Sequence, residues 1–114
     1  MHELSMVMRL ANTAEETAKQ NDMKKVETIT VGVGEMSTAI GEYLRKYFNQ
    51  VKGKYERINE AALLLHDEKG EGLCNKCGTS FLLTENEGVC PVCGERDFKI
   101  TKGKSITVLS IEGE

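Results

Sequence analysis

At 114 residues, with 39% hydrophobic and 29% charged side chains, the chain holds one compact domain plus a small appendage, which excludes a large multidomain enzyme. Eleven glycines, one proline and an ordinary charge content exclude collagen-like, low-complexity and disordered classes. A formal charge of -3 and a pI near 5.5 argue against nucleic acid or an anionic membrane surface as the partner, because both call for a basic patch.

The opening residues Met1-His2-Glu3-Leu4-Ser5 lack the basic start and apolar run of a secretory signal, so the expectation is a retained amino terminus and a cytoplasmic protein. Leu4, Val7, Ala11, Ala14 and Ala18 recur at three and four residues, predicting an amphipathic helix over Leu4 to Lys19 with a stop at Asn21-Asp22. Val26 to Val33 alternates, with Ile29, Val31 and Val33 on one face, and reads as a half-buried strand. Ser37 or Thr38 is the expected cap of a second helix whose apolar stripe is Ile40, Leu44, Tyr47, Phe48 and Val51.

After the break at Gly53, Ala61 to Leu65 is a short buried strand, far below the roughly 20 apolar residues that a bilayer span needs. His66 ends it. A cysteine-bearing segment follows from about Gly70 to Lys102, and Ile106 to Ile111 forms a third β-branched strand. The expected fold class is α+β: two helices packed on one face of a three-stranded sheet, with an inserted zinc-ribbon module. The last strand is too short to stand alone and is expected to return to the main sheet. That makes the first domain discontinuous, 1-69 plus 103-114, around a metal-binding domain at 70-102.

Cys74-Asn75-Lys76-Cys77-Gly78 and Cys90-Pro91-Val92-Cys93-Gly94 are two copies of one unit. Two residues between cysteines allow a tight turn to aim both sulfurs at one ion, and Gly78 and Gly94 can take the positive φ that such a turn needs. Disulfides are disfavoured in a reducing compartment. Four soft sulfurs suit a closed tetrahedral Zn²⁺ site, and closure leaves no position for a substrate water, so the role is structural. Iron is the chemical competitor, as in rubredoxin-type carriers, disfavoured by the short spacer and scarce aromatics. Lys76, Arg96, Lys99, Lys102 and Lys104 lie near the cysteines and read chiefly as solvated charges beside an anionic cluster.

At the amino terminus, the Met1 amine, the amide nitrogen of residue 2 and the His2 imidazole can close adjacent chelate rings around Ni(II) or Cu(II), with Glu3 adding an oxygen or its backbone nitrogen. On the residues alone, an exposed histidine beside a frayed end is the ordinary reading of His2. His66, beside Asp67, is a half-exposed histidine by default, and Met6, Met8, Met23 and Met36 lack the spacing of a thioether site. Ser5, Ser37 and Ser80 have no histidine base at a legible spacing, and no phosphate-binding loop is present, so no catalysis is expected.

Met1-His2-Glu3-Leu4-Ser5 ahead of a helix, Val33-Gly34-Glu35 followed by Ser37, Phe48, Ala61-Ala62-Leu63 and the two cysteine pairs together resemble, in order along the whole chain, the HypA/HybF family of hydrogenase nickel-incorporation proteins. The resemblance implies a non-enzymatic nickel metallochaperone with Ni²⁺ as transient cargo. The implied partners are a nickel-handling GTPase, the [NiFe]-hydrogenase large-subunit precursor and, in some organisms, a urease nickel chaperone. It implies Met1, His2 and Glu3 as the nickel site and Cys74, Cys77, Cys90 and Cys93 as structural zinc ligands. Some family members use a further carboxylate after the first strand. Here Ile40 and Gly41 supply none, and Glu35 and Glu42 are the nearest candidates. A polar surface including Glu3, Arg9 and Glu16 is the expected docking face, on a monomer or weak homodimer. The alternative from another class is a zinc-ribbon adaptor for protein or nucleic acid.

Overall fold

In the computed structural model, which describes residues 3–114, the helical spacing of Val7, Leu10, Ala11, Ala14 and Ala18 becomes the buried face of α1 (Glu3–Gln20). Leu4, expected on that face, is half exposed; Glu3 is the first-turn residue that faces inward. The helix stops where Asp22 enters the left-handed region at φ 55°, letting the Met23 N–H close on the Ala18 carbonyl at 2.9 Å.

β1 (Val26–Gly34) follows, and its inward residues Val26, Ile29 and Val31 are fully buried. α2 (Gly41–Val51) buries Leu44, Phe48 and Val51. Its start differs from the expectation. The N-cap is Ile40, extended and without a side-chain cap, and Ile40 is about half exposed rather than part of the apolar stripe. Ser37 instead spends its hydroxyl on the Ala39 N–H at 3.0 Å, a local turn that holds the chain out of the helix.

Between α2 and the next strand, Arg57 fastens the connection to α1. Its backbone N–H and Nη1 donate to the two carboxylate oxygens of Glu15 at 3.0 and 2.9 Å, and its Nε donates to the Met23 carbonyl at 3.0 Å. β2 (Ala62–Glu68) then pairs parallel with β1 and runs three residues past Leu65, so His66 is inside the strand and not at its end.

β6 (Ile106–Gly113) pairs antiparallel with the other edge of β1, giving the sheet order β2-β1-β6. One core joins α1, α2 and this sheet, so both helices cover the same face; Met6 and Met23 pack at its margin. Between β2 and β6 the chain builds a second three-stranded sheet, order β4-β3-β5, from β3 (Glu71–Cys74), β4 (Ser80–Leu82) and β5 (Phe98–Lys102). Its small core is Cys74, Cys90, Phe81 and Leu83, with Phe98 edge-on to Phe81 at 5.7 Å and Ile100 alongside.

Two chain segments connect the sheets: Lys69-Gly70 on the way out and Gly103 on the way back. They pass so closely that a β-carbon at Gly103, itself at φ 76°, would sit 2.7 Å from the Gly70 Cα, and one at Gly34 would overlap the Gly103 carbonyl. The resulting body measures 51 × 29 × 17 Å, with a radius of gyration of 16.9 Å. A single compact domain of this length would have roughly 13 Å. Among the described residues no helix is long and apolar enough to cross a membrane.

Phe48 is fully buried in the core shared by the helices and the sheet. Phe48→Ala should lower unfolding free energy by about 3–5 kcal/mol in urea denaturation, whereas Leu64→Ala, on the exposed face of β2, should change it by no more than about 0.5 kcal/mol.

Candidate metal centre

The two cysteine units fold alike. In the first, Cys74 ends β3, its N–H bonds the Thr79 carbonyl at 2.9 Å, and the Gly78 N–H returns to the Cys74 carbonyl at 3.0 Å. In the second, the Cys90 N–H bonds the Glu95 carbonyl at 2.9 Å and the Gly94 N–H returns to Cys90 at 2.9 Å. Gly78 and Gly94 both sit at φ 77°, as the tight turn demands. Asn75 pins the first unit to the segment ahead of β5, its backbone N–H and side-chain amide both reaching Asp97 at 3.0 Å.

These turns bring the four cysteine sulfurs within 4.8 Å of one another. Cys74 Sγ lies 3.6 Å from Cys93 Sγ, and Cys77 Sγ 3.5 Å from Cys90 Sγ. Zinc–sulfur bonds of about 2.3 Å in a tetrahedron place sulfurs about 3.8 Å apart, so the donors fit a four-coordinate ion such as zinc with only a slight expansion. Cys74 and Cys90 are buried and Cys77 and Cys93 exposed. Four sulfur donors would fill every position of a four-coordinate ion, so the arrangement could hold a metal and offers it no open position for a substrate water.

The thiols are electrostatically unequal. The hydroxyl and backbone of Thr79 stabilise the Cys77 thiolate and bring its pKa down to about 6. At Cys93 the Glu95 backbone acts in the same direction, but burial and the neighbouring sulfurs of Cys74, Cys77 and Cys90 together outweigh it and push the thiol up to about 12. Near neutral pH Cys77 is thus a ready thiolate, while an ion that binds Cys93 must displace its proton to solvent.

Of the expected nickel ligands, Met1 and His2 lie outside the described residues. Glu3 is described, and it corrects the expectation that it joins an exposed polar face with Arg9 and Glu16. Its side chain is 4% exposed, because the loop ahead of α2 folds over it; Arg9 and Glu16 are exposed as expected. One carboxylate oxygen, Oε2, accepts from the Ile40 N–H at 3.2 Å. The other, Oε1, is buried and has no hydrogen-bond partner among the described residues.

Position 40 therefore meets Glu3 through its backbone, with no carboxylate of its own. Glu35 is engaged elsewhere, accepting from the Gly70 N–H at 2.7 Å and the Thr84 hydroxyl at 2.9 Å, and Glu42 is exposed in the first turn of α2. His66 is exposed, and the four cysteines are the metal-competent cluster found among the described residues. Sequence reasoning missed the burial of Glu3 and the engagement of Glu35, since both depend on partners some 35 positions away.

Residues 1–113 match the profile of a family described as "Hydrogenase/urease nickel incorporation, metallochaperone, hypA". The chain belongs to the HypA family. It is 34% identical over 113 residues to the hydrogenase/urease maturation factor HypA of Helicobacter pylori, covering 98% of this chain and 97% of that protein. With the hydrogenase maturation factor HypA of Thermococcus sibiricus it shares 30% identity, covering all of this chain and 97% of the relative.

Among solved structures, that of the Ni metallochaperone HypA from Helicobacter pylori superposes with a TM-score of 0.87 at 33% identity, over 99% of this chain and 97% of that one. A second HypA solution structure gives 0.80 at 33% identity, over 100% and 97%. The family is one of nickel-incorporation metallochaperones and its members are named maturation factors, not catalytic enzymes.

Because ligation needs four thiolates and Cys93 holds its proton up to about pH 12, Zn²⁺ affinity measured by chelator competition should rise steadily as pH increases above about 6, where Cys77 is already ionised. Cys93→Ser should lower that affinity and loosen the segment around β3, β4 and β5, leaving the helical signal of α1 and α2 intact by circular dichroism.

Proposed function

We propose that this chain binds Ni(II) at its amino terminus and delivers it for hydrogenase/urease maturation, the zinc-loaded cysteine cluster serving as structural support. The Met1 amine, the backbone amide and imidazole of His2, and Glu3 form the nickel donors; Cys74, Cys77, Cys90 and Cys93 hold Zn²⁺. The observation that carries this reading is the Glu3 carboxylate. A buried carboxylate oxygen that lacks a hydrogen-bond partner is costly; Glu3 Oε1 has none among the described residues, and it belongs to the residue that directly follows Met1-His2. A cation seated between the terminus and Glu3 relieves that cost.

In this reading, 1-69 plus 103-114 is the nickel-binding domain and 70-102 the zinc-binding domain. The protein works in the cytoplasm with the nickel-handling GTPase and the hydrogenase large-subunit precursor. The exposed charges of Arg9 and Glu16 on α1 provide a polar contact surface for such a transient partner. Nucleic acid and membrane are not partners.

The experiment is a nickel titration of the untagged chain beside three variants. A one-residue extension ahead of Met1 moves the amine by a whole peptide unit while keeping every side chain, so it should abolish tight Ni(II) binding, as should His2→Ala. His66→Ala should leave binding unchanged. Amide-nitrogen donation makes the bound ion four-coordinate and low-spin, hence yellow and diamagnetic. Tight binding by the extended chain would refute the amino-terminal chelate.

A further inference from the structure

Glu35 stands just past the end of β1, and its carboxylate reaches away along the chain's connections. Its Oε1 accepts two hydrogen bonds, from the Gly70 N–H at 2.7 Å, where the chain leaves β2, and from the Thr84 hydroxyl at 2.9 Å, beyond β4 in the cysteine-bearing part. Its own N–H donates to the Glu68 carbonyl at 2.8 Å, and the next N–H, of Met36, donates to the Gly103 carbonyl at 2.9 Å. One dipeptide is thereby bonded to both connecting segments and to the second sheet's own loop.

The far end of the same loop is held as well. From Glu35 the chain runs to Ile40, whose N–H is bound by Glu3. The stretch between is braced internally: the Ser37 N–H bonds the Gly34 carbonyl at 2.9 Å and its hydroxyl takes the Ala39 N–H. A short segment, braced inside and hydrogen-bonded at both ends, is the kind of contiguous physical connection along which two sites can be coupled.

We propose that Glu35 is a clasp that orients the cysteine-bearing part on the helix-bearing part and, through the strap Glu35–Ile40, holds the Ile40 N–H against Glu3. Glu35 is then a positioning residue for the amino-terminal nickel site and not a nickel donor; this second half rests on the nickel reading above. The first half stands on the geometry at the junction alone.

The test uses the full untagged, zinc-loaded chain and two substitutions at one position. Glu35→Ala removes the acceptor. Glu35→Gln keeps a carbonyl oxygen that can still accept from Gly70 and Thr84 but is a poor ligand for Ni(II). For Glu35→Ala, amide exchange at Gly70 should quicken about tenfold, and Ni(II) affinity should fall several-fold with zinc content unchanged. Glu35→Gln should restore most of both. Thr84→Val, an exposed substitution that takes away one donor and leaves Glu35 in place, should shift both readouts in the same direction by a smaller factor.

An unchanged Gly70 exchange rate in Glu35→Ala overturns the clasp. Faster Gly70 exchange with unaltered nickel affinity overturns the positioning role. If Glu35→Gln protects Gly70 yet binds nickel as poorly as Glu35→Ala, the carboxylate is itself a donor and the proposal is wrong. Nickel binding that survives His2→Ala defeats the functional reading instead, while the Gly70 amide still judges the clasp.

Discussion

β1 is hydrogen-bonded along both edges, parallel to β2 on one side and antiparallel to β6 on the other, and every other feature hangs from that strand. Its inward side chains Val26, Ile29 and Val31 lie in the one core that both helices share, with α1 set against α2 and β6. Its last residue, Gly34, abuts Gly103, and its successor bonds to Gly70. A two-stranded β1–β2 unit would have an open edge and little to cover it; the return of β6 closes the central strand and obliges the intervening segment to be looped out.

The looped-out part solves a different physical problem. Its apolar core consists of a few residues around Phe81 and Phe98, too small to offset the entropy of ordering three short strands. Metal–thiolate bonds are the natural replacement for the missing apolar area. The two cysteine turns use the same pair of backbone hydrogen bonds, so the site is a local repeat closed on itself. The proposed nickel site is built on the opposite logic, from a chain end and one buried carboxylate, which suits an ion that must leave again.

Legibility in the sequence followed the range of the interactions. The helical faces, the alternation of β1, the return of β6 and the paired cysteine turns are written in local spacing, and were readable. The start of α2 was misread because Ser37 satisfies a nearby amide in a turn while the helix begins after Ile40, whose amide finds Glu3 across the molecule. β2 extends through His66, Asp67 and Glu68 because pairing with β1, not hydrophobicity, sustains it there. β3, β4 and β5 are too short, and too crowded with glycine, cysteine and lysine, for any periodicity to develop. Glu3, expected on an exposed polar face with Arg9 and Glu16, is buried and meets Ile40 37 positions away, a contact that no local spacing announces.

The order of the strands along the chain also has a consequence for synthesis. Residues 26–68 emerge from the ribosome with the central strand paired on one side only, and the segment that completes the sheet arrives after the whole cysteine-bearing part has been made. During that interval the cysteine turns have their full complement of donors and can close around an ion, while the helix-bearing part still waits for its third strand. Capture of an ion by the four cysteines would therefore precede completion of the sheet, and β3–β5 pairing through Lys102 leads the chain to where β6 pairs with the other edge of β1.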